Sequence, residues 1–238
     1  MDFYFNSFTS VEKPLLYRAY LRLLYDVFVG EQGWDLASDH SVGELMPQVY
    51  DKNAVVTVAR NHFGNVIGGV RASLPGKDFP HQHFFDKHLK EAVFAPFEKK
   101  ISSLNALAVK KKHRRSKYSY GANSYSLASQ VLDQVMLHSF NSGTEVFLAS
   151  TGTIEAAKLL RSHGFFLLDG SFNFESPFSN LVNMVFIASP NLELLDYVKN
   201  CEEAALQGND FNFYVEAVLS SVSDYTHNEI GFNQFGVR

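Results

Sequence analysis

Apolar and polar positions along this 238-residue chain alternate between two periods, and the switch points divide it into elements. Leu21, Leu24, Tyr25 and Phe28 recur at helical spacing and predict a first helix over residues 11–29, ending near Gly30. Residues 37–48 have no clean period. The β-branched run Ala54–Arg60 predicts a buried strand, "NHFGN" a turn, and Val66–Leu74 the strand that pairs with it in a hairpin. Pro75, Gly76 and Pro80 break the chain before a helical pattern over Phe84–Phe94. A short strand is expected at Ser102–Val109 and a long helix from about Gly121 to Phe140. Leu127, Val131, Leu132, Val135 and Met136 form one apolar face of that helix. A strand in "TEVFLAST", a helix in "TIEAAKLLRSHG" closed by Gly164, and strands in "FFLLDG" and "LVNMVFIAS" follow. The tail is helical in "NLELLDYVKNCEEAAL" and again in "FYVEAVLSSV". This order predicts an α/β (α+β) fold: a central mixed sheet flanked by helices. No composition break forces a second domain, so residues 1–190 are expected to form one domain. Residues 191–238 are expected as a helical C-terminal extension packed on it.

Composition narrows the function classes. Net charge is −4, which argues against nucleic acid as a partner. The 22 phenylalanines and 11 tyrosines are enough to line an apolar tunnel or groove as well as a core. The lone Cys201 excludes an internal disulfide and a cysteine zinc site, and points to a reducing compartment. The first residues, "MDFYFNSFTSVEKP", lack a basic segment leading into an apolar run, and no apolar run approaches the roughly 20 residues of a membrane span. A cytoplasmic protein without a transmembrane segment is the expectation.

Three local features bear on chemistry. Lys110–Lys117, "KKKHRRSK", holds six Lys and Arg in eight residues on an otherwise acidic chain. Such a run focuses positive potential and attracts a polyanion, and Arg114 and Arg115 can make forked contacts with phosphate oxygens. The same run would also serve as an ordinary solvated loop. His81, His83 and His88 fall within eight residues, but the five-residue step from His83 to His88 does not align ligands on a helix. They read as a polar loop, and no metal is expected. No G-x-S-x-G occurs and no histidine adjoins Cys201, so a nucleophile constellation is missing.

Two longer segments resemble a known family. "LNALAVKKKHRRSKYSYGANSYSLASQVLDQV" and "EVFLASTGTIEAAKLLRSHGFFLLDG" are similar to the core of the GNAT acyltransferase superfamily. Within it, residues 17–170 resemble the acyl-homoserine-lactone synthases and the long-chain N-acyl amino acid synthases. Phe28 and Trp34, with "GEQG" between them, match a "VF…GW" segment of those synthases. Asp51 in "VYDKNAVVTVA" falls on a family acid, and Arg71 in "VIGGVRASLP" on a family arginine. Phe84 or Phe85 in "HFFDKHL" takes an aromatic position. The chain departs from the pattern at Leu24, which replaces a family arginine, and at Gln48, which replaces a second acid. Ser103, Asn105 and Ala106 stand where those synthases carry an acid and a Ser-Arg pair. The groups that would recognise S-adenosylmethionine are therefore mostly missing. The phosphate loop "RRSKYSYGA" lacks its first glycine, and Leu160 replaces the usual tyrosine of acetyl-CoA enzymes.

The resemblance implies an N-acyltransferase that moves a fatty acyl group from acyl carrier protein or acyl-CoA to a small-molecule amine, with no permanently bound cofactor. It implies that the donor lies along Leu107, Ala108 and Val109, with its phosphate near Arg114, Arg115, Ser116 and Ser119. The basic segment Lys110–Lys117 would also receive an acidic acyl carrier protein. Phe28, Trp34, Asp51, Arg71 and Phe84 are the implied substrate-binding residues, with the first two on a loop shielding the donor. Backbone N–H groups near Ala108 and Val109 are the natural oxyanion donors. Glu98, Ser103 and Asn105 are the catalytic candidates. Glu98 is the carboxylate nearest to Ser103, with Glu44 and Asp51 as further possible bases. Arg71 has two open roles, holding a substrate carboxylate or pairing with Asp51 or Glu44. An acetyl-CoA-dependent N-acetyltransferase and a non-catalytic acyl-thioester-binding protein are the alternatives.

Overall fold

Only part of the helix predicted over residues 11–29 is α-helical. In the computed structural model, which describes residues 3–114, 117–120, 123–173 and 182–207, helix α1 spans Pro14–Leu24 and continues as a π-helical turn over Tyr25–Glu31. Before it lies a strand that the sequence pattern does not announce, β1 (Tyr4–Thr9). The irregular stretch 37–48 contains a minimal hairpin, β2 (Ser38–Asp39) and β3 (Glu44–Leu45). Strands β4 (Ala54–Arg60) and β5 (Val66–Ser73) form the expected hairpin. The helix expected at Phe84–Phe94 is only one short turn, α2 (Asp86–Leu89), between 3₁₀ turns at Gln82–Phe84 and Ala92–Lys100, the second of which contains Pro96. Strand β6 (Ile101–Val109) follows, then the turn α3 (Lys111–Arg114). A third hairpin, β7 (Lys117–Tyr120) and β8 (Asn123–Ser126), takes residues assigned by sequence to the basic loop and the start of the long helix. That helix, α4 (Leu127–Asn141), starts only where Ser126 caps it by accepting the Ser129 N–H at 3.1 Å. The remaining elements are β9 (Val146–Thr151), α5 (Ile154–Ser162), β10 (Phe166–Asn173), β11 (Val182–Ala188) and α6 (Leu192–Gln207). The second expected tail helix lies outside the described residues.

The chain divides into two compact units, with one boundary inside β6. The first holds residues 1–80 and 103–143. Its strands β1, β4, β5 and β6 run antiparallel in that order. Tyr17, Tyr20, Leu21, Leu23 and Leu24 of α1 pack with Phe8, Val56, Val58 and Ala108 in one core cluster. Leu127, Val131, Leu132, Val135 and Met136 of α4 are all buried, as their spacing requires.

The second unit holds residues 81–102 and 144–238, with β9, β11 and β10 in that antiparallel order. Gly164, at φ +79°, ends α5 in the left-handed conformation that favours glycine. Helix α6 packs against β10 in this unit, and Glu202 on it accepts from Arg161 at 2.6 Å and from the Leu167 N–H at 2.9 Å. His88 is buried beside the Tyr197 hydroxyl at 3.2 Å, not in a polar loop as its spacing suggested. No helix among the described residues is long and apolar enough to cross a membrane.

Candidate active site

Strand β6 gains one residue on its neighbour. Gly69 faces Ala108 and Arg71 faces Asn105, so Ala106 and Leu107 together oppose the single Val70. This is a β-bulge, and its first residue, Ala106, has φ +53°. An alanine in that left-handed region carries a strain of about 1–2 kcal/mol, which the surroundings must offset. Asn105, Ala106 and Leu107 are half-buried, whereas the strand on either side is closed off. The bulge thus interrupts the ladder where the strand is accessible, and it lies within the segment that sequence reading assigned to the donor.

Beneath the bulge sits a buried polar cluster. Arg71 on β5 is 5 % exposed, and its guanidinium reaches three partners. Nε donates to Asn105 Oδ1 at 2.5 Å, one terminal nitrogen to Gln48 Oε1 at 2.7 Å, and the other to Asp51 Oδ1. The second Asp51 oxygen accepts from the Tyr17 hydroxyl and from the Gln48 N–H at 2.6 Å. The ion pair with Asp51 considered for Arg71 is formed. Burial, followed by the hydrogen bond to Asp51, raises the Tyr17 phenol above its ordinary range and keeps it a donor. Glu44, the other partner considered for Arg71, instead accepts from Arg18 at 3.1 Å and Arg22 at 2.7 Å. The hydrogen bond from Arg18, aided by Arg22, holds the Glu44 carboxyl below the usual carboxylate range. Both carboxylates named as possible bases in this unit are therefore engaged.

The loop after α1 closes on itself. The π-helical turn is set by the Gln32 N–H donating to Val27 O at 3.1 Å, and Trp34 N–H donates back to Phe28 O at 2.9 Å. The Phe28 and Trp34 rings stack at 5.0 Å and 18°, both half-buried. Two ion pairs join this turn to the start of the basic segment. Lys110 contacts Asp26 at 2.9 Å, and Arg114 binds Glu31, whose other oxygen accepts the Lys111 N–H at 3.3 Å. Arg114, assigned to the phosphate, and Lys110 of the same basic segment thus already have carboxylate partners on the turn. Burial, with Lys112 and Lys110 close by, pushes the His113 ring below its ordinary value.

No protein-family model matches the chain, and no curated protein matches it in sequence. Solved structures do. BjaI, a CoA-dependent acyl-homoserine-lactone synthase solved with MTA, matches with a TM-score of 0.59 at 19 % identity, over 84 % of this chain and 89 % of that one. TofI in a ternary complex with an inhibitor and MTA gives 0.56 at 16 % identity, over 84 % and 97 %. A GNAT-family acetyltransferase from Staphylococcus aureus Mu50 gives 0.51 at 13 %, over 80 % and 100 %. The fold is that of the GNAT acyltransferases.

Within this GNAT fold the sequence-named residues separate. Phe28, Trp34, Asp51, Arg71, Ser103, Asn105, Leu107, Ala108, Val109 and Arg114 lie in the first unit; Phe84 and Glu98 belong to the second. Glu98 is exposed on its 3₁₀ turn, and Phe84 is buried. Ser103 is buried with its N–H donated to Ser73 Oγ at 2.8 Å, and Asn105 serves Arg71. Ser119 lies on β7. Arg115 and Ser116 lie outside the described residues. Sequence reading missed Tyr17 and Tyr20, which three-residue spacing sets on one face of α1, and missed Gln48 as an Arg71 partner. Among the described residues, no three His, Cys, Asp or Glu side chains converge as metal ligands.

Proposed function

We propose that the chain is an N-acyltransferase that moves a fatty acyl group from acyl carrier protein or acyl-CoA to the amine of an amino acid or a related small molecule. The observation that carries this reading is the bulge at Ala106–Leu107 on β6 of a GNAT fold. A bulge frees backbone groups from the ladder, and donors fixed on a rigid strand can meet the charge that develops on a thioester oxygen. The amine nitrogen adds to the carbonyl carbon, the oxygen takes up negative charge, and collapse of that intermediate expels the thiolate. The proton leaves the amine, and the thiolate takes one up. Asp51 and Arg71 form the frame beneath the bulge, while Phe28 and Trp34 cover the acyl chain. Each methylene that such a surface buries contributes about 0.8 kcal/mol, enough to select chain length. In place of the acids that the resemblance would put at the acceptor side, this chain has Gln48 and Ser103. Neutral side chains there favour a neutral or anionic acceptor over a sulfonium cation.

The test is to incubate the pure protein with C2 to C16 thioesters of CoA and of carrier protein, together with pooled amines, and to identify products by mass spectrometry. A preference for acetyl-CoA would overturn the long-chain assignment. A second reading, an acyl-thioester-binding protein without turnover, is favoured by one observation: Asp51 and Glu44 are both committed to hydrogen bonds and poorly placed to take a proton. A long acyl thioester retained in native mass spectrometry, with no product from any amine, would select it.

A further inference from the structure

Tyr20 is fully buried, and its hydroxyl donates to the Ala106 carbonyl at 2.8 Å, across 86 residues of chain. Its ring lies against β5 so closely that a Cβ on Gly69 would fall 2.8 Å from the Tyr20 Cδ2 and 2.9 Å from Cε2. Only a residue without a side chain admits the ring there, and Gly69 is the last paired residue before the register shift. Burial also raises the Tyr20 phenol above its ordinary range, so it remains a hydrogen-bond donor. The contact falls on the one residue of β6 whose backbone is left-handed. A planar trans peptide points its N–H opposite its C=O, so fixing the Ala106 carbonyl toward Tyr20 turns the Leu107 N–H the other way.

We propose that Tyr20 is a positioning residue. It anchors the Ala106 carbonyl, offsets the strain of the left-handed backbone, and so holds the Leu107 N–H where it can meet the oxygen of a bound thioester. This rests on the acyl-transfer reading above. Its structural half, that the hydroxyl holds the bulge, is independent of that reading.

The experiment is Tyr20→Phe in the full chain, which keeps the ring on Gly69 and removes only the hydroxyl. Amide hydrogen exchange at Ala106 and Leu107 is expected to speed up at least about 10-fold, with the rest of the sheet unchanged. With the thioester found active, kcat is expected to fall about 10- to 100-fold with little change in KM. Adding Ala106→Gly, which removes the left-handed strain, is expected to restore part of both. Ala106→Val, which leaves Tyr20 in place but makes positive φ costlier, is expected to reproduce both losses even if Tyr20→Phe does not fold. Unchanged exchange in Tyr20→Phe and Ala106→Val overturns the proposal, whether or not the protein turns over any thioester. So does a loosened bulge with undiminished kcat. Absence of turnover in the parent protein, with exchange still responding, would sink the acyl-transfer reading alone.

Discussion

Arg71 and Arg114 are both arginines bound to a carboxylate in the same unit, yet they have opposite physical characters. The Arg71 and Asp51 side chains are 6 % and 5 % exposed, and Tyr17, Gln48 and Asn105 add further hydrogen bonds to the pair. Arg114 and Glu31 are 39 % and 27 % exposed, and solvent screens their attraction. Removing a partner from the first pair strands a charge in a low-dielectric interior. Opening the second returns both groups to water at little cost. The buried arginine is therefore part of the frame that supports the bulge, and the exposed one can part from Glu31 at little cost while its Nε still donates to the Val109 carbonyl at 2.8 Å. A residue's type does not decide between scaffold and ligand contact. Its burial does.

Breaking the buried cluster gives the sharpest test. Arg71→Ala should cost about 3–5 kcal/mol in urea unfolding, since Asp51 would remain buried without its cation. A loss below about 1 kcal/mol would remove the distinction drawn here. Next in size is Gly69→Ala, whose methyl must displace the Tyr20 ring, with an expected loss of about 1–3 kcal/mol measured the same way.

Glu44→Gln should show a smaller effect with a diagnostic pH dependence. A carboxylate with a depressed pKa stabilises the fold above its unfolded value, about 4.3, and loses that contribution as pH falls through the folded value. The difference from the parent protein should be present at pH 7 and should vanish on acidification in a thermal melt series. A difference that persisted at low pH would separate Glu44 from the Arg18 and Arg22 charges. Smallest in stability is Glu31→Gln, expected within about 1 kcal/mol. It should nonetheless tighten binding of inorganic pyrophosphate several-fold by calorimetry, because Arg114 no longer has a competing anion. Equal affinity would show that Arg114 is not available to phosphate.

The strand Ala54–Arg60 and the inward face of α4 were legible because burial itself writes the pattern: β-branched runs and a repeat every three to four residues. Strand β1 was not legible, since "YFNSFT" mixes polar and apolar residues and owes its conformation to pairing with β4. The start of α4 could have been found, because Ser126 before Leu127 is a capping signal that outranks the apparent helical pattern from Gly121. Asp51 and Arg71 were visible as family positions through the resemblance, with their pairing as one of the options their charges allowed. Their amide partners were not, because Gln48 and Asn105 lie 57 residues apart and each is an ordinary surface residue by type.

The sequence alone determined the strands at Ala54–Arg60 and Val66–Ser73, the apolar face of α4, and the basic run after β6. Periodicity and local charge are properties of neighbouring residues, and the chain records them directly. Only the tertiary structure decided that Ala106 is left-handed, that Tyr20 holds it across 86 residues, and that Asp51 and Arg71 meet in the interior while Lys110 and Arg114 turn to Asp26 and Glu31. Those facts depend on which strand lies beside which and by what register. A one-residue bulge changes the register without leaving a periodic mark.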